Sequence, residues 1–154
     1  MTTPPARPAK QRKQDTLHRL EHDEDVWVAT AGPEGGAPYL VPLSFLWDGS
    51  TLLLATPAAS PTGRNLASSG VTRLGLGPTR DVVMIDGGVL ALEPGELSRE
   101  EGDAFAARTG FDPRQLATAY RYFRVRPHRM QAWREANEIE GRELMRDGEW
   151  LVAD

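Results

Sequence analysis

Residues 27–77 read WVATAGPEGGAPYLVPLSFLWDGSTLLLATPAASPTGRNLASSGVTRLGLG and consist of short apolar runs separated by turns. Three runs rich in β-forming residues, at 26–31, 39–46 and 51–56, predict strands. The segments between them are short, so consecutive strands are expected to be antiparallel. Both faces of the second run are largely apolar, which predicts a barrel wall covered on both sides by another layer or another subunit. Pro42 in this run cannot donate a ladder hydrogen bond and predicts an edge, a bulge or the approach of a ligand.

The segment after the third predicted strand, residues 58–66 (AASPTGRNL), opens a short helix. Backbone N–H groups and the positive end of the helix dipole at such a junction favour a phosphate group. Ser60, Thr62 and Asn65 can add donors, and Arg64 can add a charged guanidinium. The alternative is an ordinary helix cap, because Ser or Thr before a helix is common and needs no ligand.

Composition narrows the class of protein. The chain has 154 residues, a net charge of −4 and no cysteine. The length fits one domain, and the negative charge disfavours generic nucleic-acid binding. The lack of cysteine excludes disulfides, cysteine-ligated zinc and iron–sulfur clusters, and it is typical of a reducing cytoplasm. No apolar run is long enough to span a membrane, so we expect a cytoplasmic protein that contacts neither membrane nor nucleic acid.

The remaining sequence continues the β pattern. Further β-forming runs occur at 71–77, 81–85, 89–93 and 120–126, with Asp86-Gly87-Gly88 interpreted as a turn. Residues 1–14 are rich in Pro, Ala and basic side chains and predict a disordered arm, which is either solvated or contacts an acidic partner. Asp15 is expected to cap a short helix that follows the arm. Residues 15–154 are expected to form a single domain.

No catalytic constellation stands out. The serines are scattered, and the three histidines, His18, His22 and His128, are expected to lie on the surface. The carboxylates concentrate on predicted helix faces and loops, so no metal site is predicted.

Three groups of residues carry a family resemblance: 28–30 with 40–43, 47–49 with 52–56, and 63–66 before Val71. In this order of elements the chain resembles the pyridoxamine 5′-phosphate oxidase-related superfamily, the flavin-binding split β-barrels, over residues 17–133. The resemblance implies a mainly β fold, a six-stranded antiparallel split barrel with flanking short helices. It also implies a homodimer that holds FMN, or alternatively the 8-hydroxy-5-deazaflavin coenzyme, in a groove between the subunits.

The resemblance further implies ten cofactor-binding residues, which fall into four groups. They are Leu43 and Ser44 along the isoalloxazine ring, Ala55 and Thr56 beside the phosphate-bearing tail, Ser60, Thr62, Arg64 and Asn65 at the phosphate, and Trp133 and Arg134 reaching in from the other chain. Arg64 is the basic residue of the phosphate loop, and Arg73 and Arg80 are candidates for additional positive charge.

Three functions remain open at this point. The first is an oxidoreductase in which a flavin or deazaflavin transfers a hydride to or from a small molecule, with no side chain required as acid or base. The second is a non-catalytic protein of the same fold that carries flavin or haem, with His18, His22 or His128 as the available haem ligands. The third is an interaction domain whose basic arm recruits a partner.

Overall fold

A computed structural model of the chain describes residues 2–154. Its elements, in chain order, are α1 (Ala9–His22), β1 (Asp25–Gly32), β2 (Gly35–Trp47), β3 (Leu52–Pro57), α2 (Pro61–Ser69), β4 (Val71–Leu76), β5 (Val82–Leu92), α3 (Arg99–Thr109), β6 (Tyr120–Trp133), β7 (Glu143–Arg146) and β8 (Glu149–Trp150). Short 3₁₀ turns at Pro94–Glu96, Pro113–Gln115 and Ala136–Glu138 connect some of them.

Strands β1 to β6 form a closed antiparallel barrel. The strand order is β3-β2-β1-β4-β5-β6, and β6 pairs with β3 to close the sheet. Strands β7 and β8 extend it beyond β6. The interior is filled by fully buried apolar side chains from every barrel strand, including Val28, Phe45, Leu54, Ile85 and Phe123. The predicted six-stranded antiparallel split barrel is therefore confirmed.

Strand β2 leaves the barrel wall along part of its length. It pairs with β1 from Gly35 to Ser44, but it pairs with β3 only from Phe45 to Trp47. Pro42 lies in the part where β2 has a strand on one side only, so its missing N–H disrupts no ladder. Much of this half of β2 is exposed within a single chain. The sequence predicts that both faces of β2 are covered, and a single chain does not provide that cover.

The course of strand β5 contradicts the turn that the sequence predicts at residues 86–88. Asp86-Gly87-Gly88 is no turn, because β5 runs without interruption from Val82 to Leu92 and pairs with β6 throughout. A Cβ on Gly87 would lie 2.7 Å from Val125 Cγ1 and 2.8 Å from the Arg126 carbonyl oxygen. The glycine is thus required by close strand packing at a β-bulge rather than by a change of direction.

The sequence predicts a disordered arm over residues 1–14; residues 2–8 form no helix or strand, residues 9–14 are helical, and Met1 lies outside the described residues. Helix α1 begins at Ala9, so Asp15 lies inside the helix and caps nothing. Arg12 and Lys13 are buried because their charges meet oxygens of the chain's other end. Arg12 donates to the carbonyl of Glu138 at 2.8 Å, and Lys13 donates to the carbonyl of Val152 at 3.1 Å.

Candidate functional site

Four of the ten predicted cofactor ligands converge on one cavity. We call it the β2–β3 cavity; its volume is about 330 Å³, and it opens where β2 separates from β3. Its lining consists of Asp25, Pro42, Leu43, Ser44, Ala55, Thr56, Pro57, Phe111 and Tyr120. The predicted ring and tail residues Leu43, Ser44, Ala55 and Thr56 are all in this set. The structure therefore places at one cavity the four residues that the family resemblance assigns to the flavin ring and to its phosphate-bearing tail.

The chemistry of the β2–β3 cavity is mostly apolar with one charged group. Phe111 and Tyr120 place two aromatic rings on its wall, with centroids 6.2 Å apart and planes inclined by 60°. Asp25 is the charged residue of the lining, and the Ser44 hydroxyl donates to its Oδ1 at 2.8 Å. Apolar walls with a few fixed polar groups are typical of sites that bind flat ring systems.

Ser60 acts as the cap of α2. Its hydroxyl accepts a hydrogen bond from the Gly63 N–H at 3.0 Å and donates to the Pro57 carbonyl at 2.8 Å. The Arg64 N–H bonds to the Ser60 carbonyl, and Pro61 has no N–H. Fewer backbone donors therefore remain at this helix start than its sequence suggests.

The other three predicted phosphate ligands differ in their exposure and in whether their side chains are already hydrogen-bonded within the chain. Thr62 is buried, and Asn65 donates from its amide to the Thr30 hydroxyl at 3.1 Å, which ties α2 to β1. Arg64 is exposed, and within residues 2–154 its guanidinium has no carboxylate or hydrogen-bond partner. Arg64 is thus a free cation in the first turn of α2.

The two candidates for additional charge are both engaged by carboxylates. Arg73 binds Asp86 through two nitrogens, at 2.6 and 3.1 Å. Arg80 contacts Glu135 at 3.2 Å. Neither guanidinium is available to a phosphate without giving up its ion pair.

Trp133 and Arg134 do not join the cavity of their own chain. Trp133 ends β6 opposite Val82, and Arg134 contacts Asp81 at 3.3 Å and Asp15 at 3.8 Å. The Arg134 N–H also donates to Glu138 Oε1 at 2.8 Å. Within a single chain this segment does not line the β2–β3 cavity.

An ion network fixes this segment in place. Glu138 is 2% exposed and accepts from the backbone and guanidinium of Arg7 at 2.9 to 3.0 Å. Hydrogen bonds from Arg7 lower the pKa of Glu138 to about 2. The carboxylate is therefore charged at neutral pH and links the start of the chain to the end of β6.

The arrangement fits a flavin-type ring with one phosphate. The β2–β3 cavity offers apolar and aromatic walls for a ring, and Thr56 at its edge lies 3.4 Å from the Ser60 hydroxyl at the start of α2. Arg64, with its free guanidinium, lies in the first turn of the same helix.

Sequence reasoning missed Asp25, Phe111 and Tyr120. Asp25 faces Ser44 across the β1–β2 hairpin, and the pairing register shifts between Thr30 and Gly32. Such a bulge changes the register by an amount that the turn sequence does not indicate. Phe111 and Tyr120 reach the cavity through packing after α3, for which the sequence carries no local signal.

The histidines lie away from the β2–β3 cavity. His18 and His22 stack on exposed turns of α1 with ring centroids 4.1 Å apart, and His128 lies on β6. Within residues 2–154, no three His, Asp or Glu side chains converge as metal ligands would. No helix in the same range is both long enough and apolar enough to cross a bilayer.

Solved structures of similar fold include proteins of different function. A pyridoxamine 5′-phosphate oxidase-related, FMN-binding protein of Nostoc punctiforme is 15% identical with a TM-score of 0.54, over 82% of this chain and 83% of that chain. An F420 reductase is 18% identical with a TM-score of 0.58, over 73% and 93%. The haem storage protein HutZ of Vibrio cholerae is 14% identical with a TM-score of 0.59, over 75% and 89%. At these identities the likeness concerns the fold alone.

Sequence comparisons are more specific. No curated protein matches the chain. The family model described as pyridoxamine 5′-phosphate oxidase matches residues 14–134, which include the whole barrel and the Trp133–Arg134 segment. The match spans well over half of the chain, and the chain therefore belongs to the pyridoxamine 5′-phosphate oxidase-like family.

Proposed function

We propose that this protein is an oxidoreductase that binds FMN, or alternatively the 8-hydroxy-5-deazaflavin coenzyme, in the β2–β3 cavity. The observation that carries the proposal is the convergence of Leu43, Ser44, Ala55 and Thr56 on one cavity, beside the start of α2 and its free Arg64. Membership of the family and the FMN-binding and F420 reductase neighbours support a flavin-type cofactor.

The bound cofactor would supply the hydride chemistry, and the chain would bind and orient it. Leu43, Ala55 and the aromatic wall would exclude water from the ring. Asp25, held by Ser44, would accept a hydrogen bond from a donor on the ring or the substrate. Arg64 would hold the phosphate. We expect the substrate to be a small molecule.

We propose that the working unit is a homodimer. Trp27 and Leu40 are 51% and 59% exposed and line an apolar groove of about 320 Å³ with Met84 on the outer face of the barrel. Large exposed apolar side chains grouped in this way favour association. A second copy would cover them and would bring its own Trp133 and Arg134 towards the cofactor.

The absorption spectrum of the purified protein tests the proposal. Flavin or deazaflavin bands, with the released compound identified by mass spectrometry, are expected either as isolated or after incubation with the cofactor. A Soret band, or a protein that stays colourless after incubation with both cofactors, would contradict it.

A non-catalytic carrier of the same cofactor is the second candidate. The observation that favours it is the likeness of the fold to that of the haem storage protein HutZ. A carrier of haem is less well supported than a carrier of flavin, because none of the three histidines lines this cavity. Reduction of the bound cofactor by a nicotinamide donor, followed by reoxidation by an acceptor other than oxygen, would distinguish an enzyme from a carrier.

A further inference from the structure

A β-bulge in β6 gives His128 an unusual position. Asp86 pairs with Arg129 and Gly87 pairs with Pro127, so His128 has no partner on β5. Its carbonyl accepts the Gly148 N–H at 2.8 Å, which fixes the bulge from the neighbouring hairpin. Bulges re-aim side chains, and here the imidazole lies against Gly88 of β5.

A glycine provides the space for that imidazole. A Cβ on Gly88 would lie 3.2 Å from His128 Cε1 and 3.4 Å from Nε2. The ring therefore lies against a residue without a side chain. Arg126 is opposite the same glycine in the β5–β6 register, so it borders the same open space.

Arg126 differs from the other arginines of this region. The others each contact a carboxylate: Arg121 with Glu93 at 2.6 Å, Arg124 with Glu101 at 2.7 Å, Arg129 with Glu143 at 2.7 Å and Arg134 with Asp81 at 3.3 Å. Arg126 is exposed and has no such partner within residues 2–154. Asp86, the carboxylate on β5 nearby, is already bound through both oxygens by Arg73.

Arg126 and His128 open onto a shared concave surface. They line a cavity of about 290 Å³, which we call the β5–β6 cavity, together with Gly70, Gly88, Val89, Leu90 and Arg124. His128 also borders a second cavity of about 560 Å³ between the β1–β2 hairpin and β4. None of the ten predicted cofactor ligands lines either cavity.

We propose that Arg126 and His128 form an anion site for a phosphate-bearing small molecule, separate from the β2–β3 cavity. The guanidinium supplies a forked pair of donors, and the imidazole supplies another donor in either protonation state. Leu90, which is 58% exposed, provides an apolar wall for the body of the ligand. The site does not depend on the proposed cofactor.

Histidine ring-proton NMR of the full chain tests the site, with inorganic phosphate and phenyl phosphate as probes. The His128 signal is assigned from its loss in His128→Gln. We expect a saturable shift of this signal with either probe, at lower concentration with phenyl phosphate because its ring contacts Leu90. The His18 and His22 signals on α1 should not follow the same curve.

Arg126→Gln and Arg99→Gln form the matched pair of variants. Arg99 is an exposed arginine of α3 that has no ion-pair partner within residues 2–154, so it reports the general effect of removing one charge. Arg126→Gln should weaken binding roughly tenfold or more, and Arg99→Gln should leave it unchanged. The proposal is overturned if His128 does not shift, if both variants weaken binding equally, or if Arg126→Gln dissociates a dimer while the His128 shift persists.

Discussion

At the scale of single residues, Ser60 shows how far sequence can specify a site. Its position before α2 was compatible with a phosphate ligand or a cap, and the structure shows the cap, with the hydroxyl bonded to Gly63 N–H and Pro57 carbonyl. Both roles use the same residue types at the same spacing, so the local sequence leaves both of them open. The family pattern predicts that Leu43 and Thr56 lie at one cavity. The ion pairs of Arg73 and Arg80 depend instead on partners 13 and 55 residues further along the chain, which no local pattern identifies.

Arg64 carries the clearest residue-level prediction for the cofactor. Arg64→Gln removes the free guanidinium of α2 and should weaken FMN binding by about tenfold, the usual effect of losing one charge-assisted contact. Quenching of FMN fluorescence during titration measures the affinity. Arg80→Gln is the control, because its guanidinium is paired with Glu135 and should not matter. Equal affinities in Arg64→Gln and the natural protein would remove Arg64 from the site.

Glu138 carries a prediction on pH. Its pKa is about 2 in the folded chain, below the ordinary 4.5, so its ion network stabilises the fold above about pH 4.5 and this contribution is lost as pH falls towards 2. Glu138→Gln should therefore reduce the free energy of unfolding at pH 7 by about 1–3 kcal/mol, and by less at pH 3. Urea denaturation at both pH values measures this. Glu135→Gln, at an exposed ion pair, should cost almost nothing at either pH.

At the scale of elements, the strands were easier to predict than their connections. The apolar runs that became β1, β2 and β3 have a strong β pattern, and the structure agrees with them within a few residues. Asp86-Gly87-Gly88 has the composition of a turn, yet close packing against Val125 explains its glycines. Helix α1 was missed at its start because Arg12 and Lys13 read as solvated charges, and their buried oxygen partners lie more than 100 residues later.

The bulge between β5 and β6 can be tested through Gly87. Gly87→Ala would place a methyl group 2.8 Å from the Arg126 carbonyl oxygen, so the strands must separate and the protein should lose about 1–3 kcal/mol of stability. Thermal or urea denaturation measures the loss. Gly95→Ala, where a Cβ meets no atom within 4 Å, is the matched control and should be nearly neutral. A fully stable Gly87→Ala protein would show that the close contact is not real.

At the scale of the whole molecule, the closed barrel leaves one apolar face uncovered. Trp27 and Leu40 project from β1 and β2 beside Met84, on the outer surface of the sheet. Barrel closure through β3 and β6 pairs residues about 70 apart, and the family pattern rather than any local signal predicted it. The exposure of Trp27 and Leu40 on this face likewise follows from the barrel and not from a local sequence pattern.

If the protein is a homodimer, a charge introduced on this apolar face should separate the subunits. Leu40→Glu should convert a dimer into a folded monomer and should weaken FMN binding with it, because a buried unpaired carboxylate is costly at an interface. Light scattering coupled to gel filtration measures the mass. Leu116→Glu, at another exposed leucine, should leave the mass unchanged. A natural protein that is monomeric at every concentration would refute the dimer.

The central claim is that the β2–β3 cavity binds a flavin-type ring, and the most direct test is the FMN affinity of a variant in which that cavity is filled. Ser44→Phe places a large side chain in the cavity from the half-exposed outer face of β2, without disturbing the barrel core. We predict that fluorescence titration detects FMN binding to the natural protein and little or none to Ser44→Phe, while Ser68→Phe on the exposed side of α2 binds normally. Unchanged FMN affinity in a folded Ser44→Phe protein would contradict the account.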